Sequence, residues 1–77
     1  MLKDLRIFLV AIIAIHLKGV SHYSVTWLQK QYDLLDKKGS EWVMDSIGQT
    51  GWYVLSLYVL YVKMGGTPDE IQQLIIP

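Results

Sequence analysis

Apolar positions cluster into two long segments separated by a short polar one. From Ile7 to Leu17 the chain is apolar except for His16, and Lys18 closes the run. Further on, Val25, Leu28, Tyr32 and Leu35 recur at three- and four-residue spacing, the period of a packed helical face. No proline interrupts positions 2–35 and Gly19 is the one weak point, so the pattern predicts a single long helix over about 2–35. Traced backwards, its face reads Ser21, Lys18, Ala14 and Ala11, while Ile7, Phe8, Leu9, Val10, Ile12, Ile13, Leu17 and Val20 fall off it. That arrangement is inside out for a water-soluble helix. In lipid it has a rationale, because small residues let helices approach while bulky aliphatics face acyl chains. Ala11, Ala14, Lys18 and Ser21 are therefore the candidate helix-packing stripe.

Asp33 to Ser40 reads DLLDKKGS, a polar turn over about 33–40 in which Ser40 is placed to cap the next helix. A second helix is expected over about 41–64, with a kink or fresh start at Thr50, where Gly48 and Gly51 bracket Gln49 and Thr50. Its later part, WYVLSLYVLYVKM, is apolar and aromatic almost throughout. Gly65 and Gly66 stop it. Thr67-Pro68-Asp69-Glu70 then supplies a cap, a proline at the first helical position, acids in the first turn and a glutamate three residues after the cap. This predicts a C-terminal helix over about 68–75, whose Ile71, Leu74 and Ile75 would lie along a membrane surface or dock on a neighbour. The fold expected is all-α, one domain over 1–77: a two-helix transmembrane hairpin with a short C-terminal amphipathic helix.

Both spans are marginal. A helix from Leu5 to Tyr23 reaches about 28 Å, and one from Ser46 to Val62 about 25 Å, against a hydrocarbon layer ~30 Å thick. The first must also accommodate His16 and Lys18, and an intramembrane lysine costs roughly 2.5–3.5 kcal/mol at the bilayer centre, less if it snorkels. Lys3 and Arg6 before an apolar run resemble a secretory leader, but Lys18 disfavours cleavage beyond it. A hairpin puts both termini on one side of the membrane. Which side is a tie, since Lys3, Arg6 and Lys63 face Lys30, Lys37 and Lys38.

Composition narrows the partners. The chain has 77 residues, 52% of them hydrophobic and 18% charged, with seven basic side chains against seven acidic ones. That is not the composition of a disordered chain, and without clustered Lys and Arg it lacks the electrostatic footprint of a nucleic-acid binder. There is no cysteine, so neither a disulfide nor a thiolate metal site can staple so small a core. Oligomerisation or a membrane is left to supply the missing stability.

Candidate chemistry is sparse. His16 and His22 are six residues apart, off the spacing that puts two ligands on one helical face. An axial haem or chlorophyll role for His16 is the sharper reading, because an imidazole in an apolar span needs a partner. A hydrogen bond to a neighbouring helix is the plainer one. Asp45 and Lys18 are poorly placed to pair within one hairpin. Ser21, Ser24 and the histidines lack an orienting acid and an oxyanion pocket, and Gly65-Gly66 lacks the lysine of a phosphate loop. Trp42 and Trp52 suit a headgroup layer, whereas the hydroxyls of Tyr58 and Tyr61 lie deeper and need partners.

No catalytic, metal-binding or cofactor role is expected. The function expected is that of a small integral-membrane accessory subunit, packing on larger membrane proteins and stabilising their assembly. The alternative is a self-assembling hairpin, either a holin-like pore former or a building block of a filament or viral shell. The partners are accordingly other membrane subunits or copies of the chain itself, together with the bilayer. A third reading is a soluble helical oligomer with breaks near Gly19 and Gly51, in which the run from Ile7 to Leu17 is a core helix.

Overall fold

A computed structural model describes residues 2–20 and 22–75, with side chains from Leu5 onward. Four helices follow one another: α1 (Leu2–Gly19), α2 (Val25–Lys38), α3 (Ser40–Lys63) and α4 (Pro68–Ile75). The described residues contain no strand. The all-α expectation therefore stands. The transmembrane hairpin finds no support, because no described helix is long and apolar enough to cross a membrane.

The helix expected over 2–35 is two helices. After Gly19 the chain turns, and Ser24, in an extended conformation, accepts a 3.0 Å hydrogen bond from the Trp27 amide through its hydroxyl, starting α2. The turn brings Tyr23 inward. Its ring stacks on Trp27 at a centroid distance of 4.5 Å, and a Cβ added to Gly51 would lie 3.2 Å from its hydroxyl. A buried tyrosine, a serine cap and a glycine cleft in α3 together favour the break over helix continuation, which a lone Gly19 opposes by only about 1 kcal/mol.

Gly39, at φ 89°, ends α2 by donating its amide to Leu35 O, and it is also the residue before α3. Ser40 is the first residue of α3, and no side chain caps that end. This corrects the expected Ser40 cap. A positive φ is open to glycine without steric cost, so the reversal itself needs no capping side chain. Within α3 the break lies at Gly48, with φ 79° and ψ 177°, two residues before the expected Thr50. Of the four elements, α4 forms as the sequence predicts, and Glu70 accepts a hydrogen bond from the Thr67 amide in one half of a capping box.

Two contacts show that α1 runs antiparallel to the later part of α3. Arg6 reaches Met64 O at the long limit of 3.5 Å, and the ring of His16 lies 5.3 Å from that of Tyr53. Between them, Leu9, Ile13 and Leu17 of α1 meet Val54, Leu55, Tyr58 and Tyr61 of α3, with Val25 and Leu28 of α2 and Ile71 of α4 completing the core. Here the inside-out expectation for the first segment divides: Leu9, Ile13 and Leu17, placed in lipid by the sequence pattern, are buried in the chain's own core.

The molecule measures 31 × 27 × 18 Å. Each helix turns one side inward and leaves exposed positions on the other.

Candidate functional site

From Leu5 to Lys18 the positions of α1 sort into an inner face, an outer face and the margins between them. Leu9, Ile13, Ala14 and Leu17 point into the core, and Leu5, Ile7, Phe8, Ala11, Ile15 and Lys18 point out, with Arg6, Val10, Ile12 and His16 at the margins. Exposure is high for the bulky outer residues: 61% for Ile7, 66% for Phe8 and 67% for Ile15. An amphipathic surface helix would carry polar side chains there. On α1, from Leu5 to Gly19, Lys18 is the only charge on the outward face, and on the neighbouring α3 Tyr53 and Leu60 are also exposed.

The expected packing stripe is thereby split. Ala14 is buried in the fold, Ala11 and Lys18 lie on the outer face, and Ser21 is outside the described residues. His16 is half-buried, and its Nδ1 is 3.0 Å from Ile12 O of its own helix rather than bonded to a neighbouring one. His22 packs edge-on against Tyr23, and the described residues hold no group of three His, Cys, Asp or Glu side chains able to bind a metal. Asp45 is exposed. Trp42 is also exposed, under the Lys38 ammonium at 5.4 Å, a cation–π contact. Trp52 lines an open groove of about 460 Å³ with Leu35, Leu55 and Val59.

The buried polar chemistry closes the fold. Tyr58 donates to Gln29 Oε1 at 2.6 Å across the α2–α3 contact, and its ring meets Tyr32 edge-on. Burial, followed by Tyr32 and Asp33, pushes its phenol up. Tyr61 is fully buried, with its hydroxyl 2.7 Å from Glu70 Oε1 and 3.0 Å from Thr67 O. Burial first, then the bond to Glu70 and its charge, push this phenol well above its usual value. In return, the hydrogen bonds from Tyr61 and then from the Thr67 amide hold Glu70 below the usual carboxylate range, with Arg6 adding to the effect. Arg6, Ile7, Val10, Tyr61 and Glu70 line a cleft of about 240 Å³ between α1 and α4. Of its polar groups, Tyr61 and Glu70 tie α4 to α3, and Arg6 reaches from α1 to Met64 O.

The hydroxyls of both tyrosines thus have the partners they were expected to need, Tyr58 tying α3 to α2 and Tyr61 tying α3 to the start of α4. The outer face of α1 was hidden in the sequence: eleven neighbouring positions of nearly uniform hydrophobicity carry no phase to separate inside from outside. This face leaves Leu5, Ile7, Phe8 and Ile15 exposed together. No family model matches the chain, and no curated protein or solved structure is detectably similar to it.

Proposed function

We propose that this protein is a small structural subunit of a membrane-associated assembly, acting by association through the outer face of α1 and performing no chemistry of its own. The observation that carries the reading is the exposure of Ile7, Phe8 and Ile15 on a helix whose opposite face already fills the core. Single exposed aliphatics are ordinary, but a contiguous row on a regular element is the usual mark of an interaction surface. A helix apolar on both sides suits a position with its own chain on one side and protein or lipid on the other. The proposal sets the helices on or beside the bilayer rather than through it, because no described helix is long and apolar enough to cross.

Extraction of the full chain from producing cells in mild detergent, followed by native mass spectrometry, tests this. The wild type should run in a complex heavier than its own 8.9 kDa, and the Phe8→Asp/Ile15→Asp variant at its own mass with helicity retained. A wild type that runs alone, or a variant that stays in the complex, would overturn the reading.

A further inference from the structure

The two parts of α3, before and after Gly48, are held to the protein very differently. Gly39 and Gly48, at φ 89° and 79°, bracket the helical piece from Ser40 to Ile47. A Cβ on either glycine would meet nothing within 4 Å, so neighbours wedge neither of them in place. Between Asp36 and Thr50, Val43 is the only buried residue and Ile47 the only half-buried one. The later part is the reverse, with Val54, Leu55, Tyr58 and Tyr61 all fully buried.

Polar contacts divide the same way. The side-chain hydrogen bonds that join separate elements run from Arg6, Tyr58 and Tyr61, none of them within 40–47. α4 is equally short, yet Tyr61 fastens its start through Glu70 and Thr67 O. Trp42, by contrast, stands exposed with its ring under the Lys38 ammonium, at the adjoining end of α2. Ser40 forms part of the wall of the open groove that Leu35, Trp52, Leu55 and Val59 also line, so the start of the piece borders open space.

We propose that residues 40–47 are a hinged flap, anchored by Val43, which detaches about Gly39 and Gly48 and opens that groove while the remaining core stays folded. Glycine rotates at both ends with no side chain to oppose it, as a hinge requires. Once detached, a helix of about two turns is far too short to persist in water, so its amides and its anchor become accessible together.

The chain has no cysteine, so single-cysteine variants of the full chain report on opening. Val43 and Val54 are both fully buried, and Val43→Cys and Val54→Cys therefore differ in which opening uncovers the thiol. With a neutral alkylating reagent under native conditions, Val43→Cys should react at least about tenfold faster. Adding Ile13→Val to each separates flap opening from global unfolding, because the antiparallel register of α1 sets Ile13 beside the later part of α3. That change should speed Val54→Cys about two- to tenfold and leave Val43→Cys as it was. In the unaltered chain, the amides from Met44 to Ile47 should exchange with deuterium at least about tenfold faster than those from Leu55 to Tyr61, and low urea should speed only the second set appreciably.

Equal labelling of the two thiols, equal acceleration of both by Ile13→Val, or one common exchange rate along α3 would each overturn the proposal. Should a cysteine variant fail to fold, the exchange of the unaltered chain decides alone.

Discussion

α1 and α2 pack on the same helix and differ in what they show to the outside. α2 buries Val25, Leu28 and Gln31 and exposes Thr26, Lys30, Asp33, Asp36 and Lys37, so water covers what α3 does not. α1 buries Leu9, Ile13 and Leu17 to the same degree and exposes Ile7, Phe8 and Ile15. Folding therefore uses about one face of each helix, and the second apolar face of α1 is surplus to it. The excess hydrophobicity of this chain sits where it can serve a contact outside the monomer.

The largest test of that comparison is on the inner faces. Ile13→Ala on α1 and Leu28→Ala on α2 each empty a fully buried site and should each cost about 2–5 kcal/mol in chemical denaturation. A cost under about 1 kcal/mol for Ile13→Ala would mean that α1 is not a core helix at all. Somewhat smaller is the effect of Gly66→Ala, in the turn that joins α3 to α4. Its Cβ would lie 2.3 Å from the Tyr61 ring, so the ring or the turn must move, and about 1–3 kcal/mol should be lost. A neutral result would show that Tyr61 does not hold the turn.

An acid-side effect comes next. Glu70 ionises more readily folded than unfolded, so the unfolded state binds more protons as the pH falls. Its contribution is present above the usual carboxylate range and is lost as pH drops through its lowered value. Glu70→Gln, which keeps an acceptor for Tyr61, should flatten that part of the denaturation midpoint measured from about pH 5 downward. An unchanged acid profile would remove Glu70 from the lock.

The smallest expected effect is the most telling for the comparison. Ile15→Lys, on the outer face of α1, should change the stability of the monomer by no more than about 0.5 kcal/mol, as Lys30→Gln on α2 should. The two variants part in association: only Ile15→Lys should shift the mass measured by sedimentation. Equal behaviour of both in that measurement would erase the distinction between the helices.

Legibility in the sequence followed local contrast. The start of α4 was readable because Pro68 suits the first helical position and Glu70 reaches back to the Thr67 amide, whereas of the polar turn expected over about 33–40 only the end at Gly39 breaks the helix, the charged residues from Asp33 to Lys38 belonging to α2. The phase of α1 was not readable, since Leu9 and Phe8 are alike as residues and only their neighbours in space separate them. The break before α2 entered only as the third reading's break near Gly19, and it became decisive through the Ser24 cap and Tyr23 packing against Gly51 in a helix nearly thirty residues away. Local preferences of about 1 kcal/mol or less decide an element when they agree and little opposes them.

By itself the sequence determined an all-helical chain, a reversal somewhere within 33–40, its last helix over 68–75 and an excess of apolar surface. The tertiary structure alone decided which part of that surface is core and which is left over. The reason is that burial in a body only 18 Å thick is settled by which helices lie against each other, and a uniformly apolar segment does not specify which of its faces turns inward.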